Sequence, residues 1–134
     1  MSGLPVDEYV RVARFRSALR RFLRKTERVA RDCGLTPQRY QLLLMIKGAD
    51  DGSERSTVTE LSAKLQLAQS TVTELVGRAE AAGLLLREGS TDDRRVGYLR
   101  LTAEGERRLA DAFRGLESER RQLLDSLLAL DDDA

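Results

Sequence analysis

The fold is decided by residues 57–105, which read TVTELSAKLQLAQSTVTELVGRAEAAGLLLREGSTDDRRVGYLRLTAEG. Thr57 and Glu60 have the spacing of a capping box, in which each side chain bonds to the other residue's backbone amide, so a helix begins here. A second helix carries apolar residues at helical spacing and ends at Gly83. Two strands flank a charged turn, and another helix follows Leu101. This order predicts a mainly α-helical chain with a small β-hairpin, the winged helix-turn-helix.

The second helix of the pair carries polar side chains opposite its apolar face. They are Gln69, Ser70, Thr71, Thr73, Glu74 and Arg78. Small hydrogen-bonding side chains at the front of a helix suit a major groove about 12 Å wide. The sequence therefore predicts that these residues bind DNA. Glu74 leaves two interpretations open, because a carboxylate accepts from a cytosine amino group but repels phosphate.

The turn between the predicted strands, residues 84–88 and 96–101, contains Asp93, Arg94 and Arg95. Arginines at a loop tip reach a phosphate or the negative potential of a narrow minor groove, and Asp93 can orient the guanidinium of Arg95. A charged loop by itself is typically a solvated turn. Its position directly after a helix-turn-helix pattern favours a DNA-binding wing instead.

Both ends of the chain carry apolar residues at alternating steps of three and four. Near the N-terminus these include Val12, Phe15, Leu19 and Phe22. Near the C-terminus they include Leu116, Leu123 and Leu127. Residues 7–31 hold nine basic and three acidic side chains, whereas residues 103–134 hold five basic and nine acidic, which favours pairing of the two ends. Docking within one subunit is one solution. The apolar faces of the two terminal helices are larger than a small DNA-binding unit can cover, so we expect a homodimer. Its dimerisation helices are predicted at 1–34 and 103–134, and the DNA-binding lobe at 35–102.

Composition limits the remaining possibilities. A chain of 134 residues suits one domain with a hydrophobic core. With one cysteine and no histidine, the sequence excludes a disulfide framework, the usual zinc sites and histidine-dependent triads, so we expect no cofactor, no metal and no enzymatic activity. The sequence shows neither an 18-residue apolar run nor a secretory signal, so we expect a cytoplasmic chain that does not enter a membrane.

Over roughly residues 8 to 116, the sequence resembles the MarR family of bacterial transcription regulators. The most specific matches are Asp93-x-Arg95 and, six residues later, Leu101-Thr102-x-x-Gly105. Further matches are Leu35-Thr36-Pro37, Tyr40 to Ile46, Thr59-Glu60-Leu61, Gln69 to Val76 and Gly83-Leu84. The resemblance implies a homodimeric repressor or activator that binds a pseudopalindromic operator in double-stranded DNA. It also implies frequent release by a small aromatic ligand or an oxidant.

The sequence departs from the family pattern in places that matter for function. Ala68 stands where the family usually has a Ser or Thr cap, and Gly77 lies inside the helix, each at a cost of about 1 kcal/mol. After Thr102 we expect one long helix, from Ala103 to about Leu130, where the family commonly has two shorter ones. This simplification puts a ligand pocket beside that arm in doubt.

The identity of a small-molecule effector stays open. Tyr9 and Tyr40 could line a cavity for an aromatic acid near Arg14 or Arg16, although aromatic residues at helical spacing are more often core. A lone cysteine at an apolar heptad position, Cys33, is also typical of a core. Reactive cysteines of oxidant-sensing relatives lie near the start of the first helix, so a peroxide sensor is disfavoured.

Residues 32–102 contain nine basic and ten acidic side chains. We expect Lys64, Arg78, Arg87 and Arg55 to converge on one face with the wing arginines while the acids point elsewhere. A protein-interaction module that antagonises a related regulator through mixed dimers is the alternative function, motivated by this near-neutral lobe and by Glu74. A continuous positive band favours DNA, and interleaved acids favour the alternative.

Overall fold

The computed structural model describes residues 3–89 and 97–131. Its six helices are α1 (Val6–Asp32), α2 (Pro37–Lys47), α3 (Val58–Leu65), α4 (Gln69–Ala81), α5 (Ala103–Gly115) and α6 (Glu117–Leu128). Its strands are β1 (Arg55–Ser56), β2 (Leu85–Gly89) and β3 (Gly97–Leu101), and a short 3-10 helix spans Ala129–Asp131. This architecture confirms the predicted winged helix-turn-helix. Among these described residues, no helix has both the length and the apolar character needed to cross a membrane.

The sheet is antiparallel, with strand order β1-β3-β2. The predicted hairpin pairs Leu85 with Leu101 and Glu88 with Tyr98. Strand β1 adds a third strand, pairing Arg55 with Arg100. Because β1 has only two residues, it is too short to show the alternation by which a strand is recognised in sequence.

The core lies where α2, α3, α4 and the sheet meet. The largest fully buried apolar side chains are Leu42, Leu43, Ile46, Leu61, Val72, Val76, Leu84, Leu99 and Leu116. The predicted capping box is present at α3, where Thr57 Oγ1 accepts from the amide of Glu60 at 3.2 Å and Glu60 Oε1 accepts from the amide of Thr57 at 3.2 Å. A fixed start for α3 sets the direction in which α4 leaves the turn.

The junction between β3 and α5 explains the Leu-Thr-x-x-Gly motif. Thr102 Oγ1 donates to the Gly83 carbonyl at 2.7 Å and accepts from the Gly105 amide at 3.0 Å, so one side chain caps α5 and holds the end of α4. A Cβ at Gly105 would lie 2.3 Å from the Leu84 carbonyl oxygen. Glycine is therefore required for α5 to pack this closely against the chain entering β2.

The prediction of one long C-terminal helix is wrong, because α5 and α6 are separated at Leu116. This residue has φ −110° and ψ 7°, outside the helical region, and its side chain is fully buried. A Cβ at Gly115 would lie 3.0 Å from Val29 Cγ1, so the break passes tightly against α1. Turning at this point buries Leu116 in the subunit core, whereas the sequence placed it in the dimer seam.

Helix α6 packs along α1 within the same subunit. Lys25 Nζ lies 3.8 Å from a carboxylate oxygen of Glu119, which joins the basic and acidic helices as their charges predict. Phe15, Leu19, Phe22 and Leu123 are partly covered. Val12 and Leu127 remain 50% and 48% exposed. Pairing within one chain therefore leaves part of the apolar seam uncovered.

Candidate nucleic-acid interface

Helix α4 presents the predicted DNA-binding side chains to solvent. Its buried residues are Val72, Val76 and Ala79, which attach the helix to the core. The exposed set contains Gln69, Ser70, Thr71, Thr73, Glu74 and Arg78. The structure thus places all six on the uncovered side of one rigidly seated helix.

The turn before α4 is held by hydrogen bonds to the end of α3, although α4 itself has no side-chain cap. Ala68 provides no side-chain hydrogen bond to the helix. Gln66 adopts a left-handed conformation with φ 56°, the Leu67 amide donates to the Ser62 carbonyl at 3.2 Å, and Ser62 Oγ donates to the Leu67 carbonyl. Hydrogen bonds within the turn fix the approach to α4. The first amides of α4 have no intrahelical acceptor and can donate to a phosphate.

Acidic side chains lie among the cations of this surface, so the expectation that the acids point elsewhere is wrong for the described residues. The ion pairs are Arg78 with Glu74 at 2.6 Å, Arg87 with Glu80 at 3.0 Å and Lys64 with Asp50 at 3.0 Å. The first follows from helical i, i+4 spacing. The Arg78 and Glu74 side chains are 65% and 62% exposed, and exposed pairs contribute about 0–1 kcal/mol, so a phosphate can displace the carboxylate at low cost.

The predicted wing residues Asp93, Arg94 and Arg95 lie outside the described residues. The strands that lead to them are described up to Gly89 and from Gly97. On the outer face of the sheet, the guanidinium of Arg55 lies 4.2 Å from the ring centroid of Tyr98. Tyr98 is not among the sequence-predicted site residues, because its neighbour on β1 is visible only once the third strand is known.

The expected cavity containing Tyr9, Tyr40 and an arginine is not formed. Tyr9 is 62% exposed near the start of α1, whereas Tyr40 is 5% exposed in the core cluster that includes Ala30. At 1.5 Å per helical residue, Tyr9 and Ala30 are about 30 Å apart along α1. Tyr9 is thus exposed while Tyr40 is buried in the core, and Arg14 and Arg16 lie on the exposed surface of α1. Burial raises the pKa of Tyr40.

Cys33 lies half-buried at the end of α1. Burial raises the pKa of its thiol, and the carboxylates of Asp111 and Asp32 raise the pKa further. Because the thiolate is the reactive form, this environment makes Cys33 a poor nucleophile at neutral pH.

Comparison with known proteins identifies the fold and the family. The sequence model of the MarR family matches residues 34–96. The transcriptional regulator Tm0710 from Thermotoga maritima is 31% identical, with a TM-score of 0.65 over 84% of this chain and 76% of that one. The chain belongs to the MarR family. No curated protein gives a significant match.

Two more distant MarR structures share the fold. AbsC, a MarR family transcriptional regulator from Streptomyces coelicolor, is 20% identical with a TM-score of 0.70, covering 95% of this chain and 84% of that one. A mutant MarR from E. coli, solved in complex with operator DNA, is 17% identical with a TM-score of 0.70, covering 96% and 94%. The winged helix-turn-helix and both terminal helices are thus common to this chain and its relatives.

Proposed function

We propose that this MarR-family protein is a homodimeric, sequence-specific DNA-binding regulator that represses transcription from a pseudopalindromic operator. The observation that carries the proposal is the exposed polar face of α4, held in place by Val72 and Val76. A mutant MarR of the same fold from E. coli has been solved with operator DNA. We propose that this chain binds double-stranded DNA with the same surface.

In this proposal α4 enters the major groove with its first turns facing the bases. Ser70, Thr71 and Thr73 are short, so the helix can approach the base edges closely and form hydrogen bonds there. On binding DNA, Arg78 leaves its ion pair with Glu74 and contacts a phosphate or a guanine instead. Residues Asp93, Arg94 and Arg95 supply the wing contact, with Asp93 orienting Arg95 toward the minor groove.

The terminal helices provide the dimer interface in this proposal. The apolar side chains that one subunit leaves uncovered include Val12, Leu124, Leu127 and Leu128 at 50%, 52%, 48% and 61% exposure. Burial against a second copy removes this apolar surface from water. A two-fold axis between the copies presents the two α4 helices to half-sites about 34–36 Å apart, one turn of DNA.

Release by a small ligand completes the proposed regulation. A crevice of about 280 Å³ lies between α1, α2 and the α3–α4 turn, and its walls include Leu23, Gln41, Leu67 and Leu75. Because Leu75 belongs to α4, a ligand in this crevice would shift the recognition helix relative to α1. The family consists of transcription regulators, and we propose no enzymatic activity, no cofactor and a location in the cytoplasm with the chromosome.

Selection of bound fragments from the organism's own sheared genomic DNA tests the proposal. We expect one or a few enriched fragments that share an inverted repeat with half-sites one helical turn apart. Substituting Ser70→Ala or Thr71→Ala should change which sequences are enriched, since these residues are proposed to contact bases. Enrichment without any shared sequence, or a uniform loss with both variants, would contradict base contact by α4.

The interleaved charges of α4 and β2 favour one alternative, a protein-interaction module. Glu74 and Glu80 reduce the positive potential beside Arg78 and Arg87, and a module that antagonises a related regulator through mixed dimers does not need that potential. Coexpression with a tagged MarR-family regulator from the same genome distinguishes the two. The alternative predicts mixed dimers with lost operator binding by the tagged partner, whereas our proposal predicts homodimers.

A further inference from the structure

The exposed side of α1 carries a row of arginines. Arg20, Arg24, Arg28 and Arg31 follow one another at helical spacing, and all four are exposed. At 3.6 residues per turn, these positions fall within about 80° of the helix circumference, so the four side chains leave α1 on one side. The row extends over about 16 Å at 1.5 Å per residue. We call these four residues the arginine stripe.

The arginine stripe lies opposite the side that attaches α1 to the rest of the subunit. The buried residues of α1 are Ala18, Thr26 and Ala30, and the helix packs against α2, α5 and α6. The mean direction of these buried residues differs from that of the stripe by roughly 165°. Val12, which we assign to the dimer interface, lies about two turns before the stripe. The stripe is therefore separate from both the core and that apolar surface.

The charges of the arginine stripe are not neutralised within the subunit. Within residues 3–89 and 97–131, no carboxylate oxygen lies within 4.0 Å of a guanidinium nitrogen of the stripe. The neighbouring acids of α1, Glu27 and Asp32, are exposed and form no ion pair with it. Exposed arginines of α4, α5 and α6 do pair with acids, and these are Arg78, Arg107, Arg114 and Arg121. The stripe thus presents positive charge that is available to a partner.

We propose that the arginine stripe is a second DNA-binding surface, which contacts the phosphates of duplex DNA without reading the base sequence. One strand of duplex DNA presents a phosphate about every 3.4 Å along the axis, so roughly five phosphates lie alongside a row of this length. A guanidinium group can donate two hydrogen bonds to one phosphate, and such contacts carry no sequence information. The proposal rests on duplex DNA as the partner of this protein, but not on base recognition by α4.

The stripe supplies the general attraction that the winged helix-turn-helix lacks. Residues 32–102 hold nine basic and ten acidic side chains, so this segment by itself attracts phosphate only weakly. Positive charge on α1 would hold the protein on DNA of any sequence and speed its association. Loss of the stripe therefore weakens binding to every duplex, whereas sequence preference remains with α4.

Fluorescence anisotropy with a labelled duplex of scrambled sequence, over a salt series, tests the stripe. Each lost phosphate contact reduces the slope of log affinity against log salt by about 0.9. The triple variant Arg20→Gln/Arg24→Gln/Arg28→Gln should therefore reduce this slope by about 2.7, and Arg24→Gln alone by about 0.9. Replacing the same three arginines with lysine keeps the charge and should keep the slope.

A matched control separates the stripe from the net charge of the chain. The variant Arg107→Gln/Arg114→Gln/Arg121→Gln removes three positive charges from ion-paired positions on α5 and α6, and its slope should equal that of the unmodified chain. Circular dichroism and light scattering on each variant ensure that proteins of the same fold and mass are compared. An equal reduction by both triple glutamine variants would overturn the proposal.

Other results distinguish this proposal from base recognition by α4. An unchanged slope in the stripe variant, while inverted repeats are still enriched from genomic DNA, would overturn the stripe alone. A reduced slope without any enriched sequence would support the stripe and contradict base recognition. Vesicles of anionic lipid and transfer RNA serve as competing polyanions. Stripe-dependent binding to either of them, with no stripe-dependent binding to the duplex, would overturn duplex DNA as the partner of this surface.

Discussion

At the scale of single residues, Gly105 and Gly77 show how the same amino acid has opposite roles in two helices. Gly105 lies where a Cβ would be 2.3 Å from the Leu84 carbonyl oxygen, whereas a Cβ at Gly77 would meet no atom within 4 Å. Gly105 is therefore a packing requirement between α5 and the start of β2. Gly77 is an unfavourable residue inside α4.

Substituting Gly105→Ala should destabilise the fold by about 1–3 kcal/mol, because the backbone of α5 must move away from Leu84. Gly77→Ala should stabilise the fold by about 1 kcal/mol, because alanine favours the helical conformation. Urea unfolding followed by circular dichroism measures both. A neutral Gly105→Ala variant would contradict the close approach.

A second residue-scale prediction concerns the wing. Arg95→Ala should weaken operator binding by about 1–3 kcal/mol, as expected for loss of a well-placed arginine contact. The dimer should persist, since the proposed dimer interface lies in the terminal helices. Fluorescence anisotropy measures the affinity, with Arg121→Ala on exposed α6 as the matched control. Unchanged affinity for Arg95→Ala would remove Arg95 from the interface.

At the scale of elements, Lys47 joins three parts of the fold. Its ammonium group lies 2.6 Å from Glu54, in the loop before β1, and 2.8 Å from Glu106 on α5. Hydrogen bonds that Lys47 donates to these carboxylates raise the pKa of Lys47, and the one to Glu54 lowers the pKa of Glu54. The end of α2 is thereby connected to both the sheet and the C-terminal helices.

Lys47→Met should lower the free energy of unfolding at neutral pH and change its pH dependence. Glu54 has a folded-state pKa below its ordinary value of 4.5. The stabilisation that ionised Glu54 gives to the fold is therefore complete above pH 4.5 and is lost as the pH falls through the lower pKa. The stability difference from the unmodified chain should therefore shrink in acid. Lys64→Met controls for the loss of one lysine. A difference that is constant down to pH 3 would contradict the Lys47–Glu54 contact.

The elements could be predicted where local sequence determines them. The capping box at Thr57, the turn at Gly83 and the alternation in β3 are local signals, and the predicted helix pair and hairpin are confirmed. The break at Leu116 depends on burial against the core and on contact of Gly115 with Val29, more than 80 residues away in sequence. A heptad pattern continues across such a break, so periodicity alone predicted one helix.

The site was predictable to a similar extent. Helical spacing separates the exposed face of α4 from Val72 and Val76, so its polar residues could be placed from sequence alone. The contact of Arg55 with Tyr98 required the sheet register, and the pairing of Arg87 with Glu80 required the packing of β2 beside α4. The association of Tyr9 with Tyr40 failed because helical periodicity does not show which turn of α1 packs against α2.

At the scale of the whole molecule, charge is distributed unevenly. Residues 7–31 hold nine basic and three acidic side chains, while residues 32–102 hold nine and ten. The strongest positive charge therefore lies on α1, and the segment that contains the proposed DNA-binding lobe is nearly neutral. Specific contacts should contribute more to operator affinity than general attraction to phosphate.

Leu127→Asp should dissociate the proposed dimer, because it places a carboxylate in the uncovered apolar surface at the end of α6. Operator binding should weaken together with dimerisation, since one α4 helix then meets only one half-site. Leu86→Asp is the matched control, as Leu86 is 38% exposed on the sheet and outside the terminal helices. Light scattering should show monomers for the first variant and dimers for the second. An unaffected Leu127→Asp dimer would place the interface elsewhere.

The most direct test of the central claim is fluorescence anisotropy of the purified protein with DNA from immediately upstream of its own gene, beside a scrambled control, over a salt series. We predict tight binding to the native fragment alone, with affinity that falls as salt rises and a slope that reports the number of phosphates neutralised. Equal and weak binding to both fragments at every salt concentration, by a protein that is dimeric in light scattering, would contradict sequence-specific recognition of this DNA by α4 and the wing.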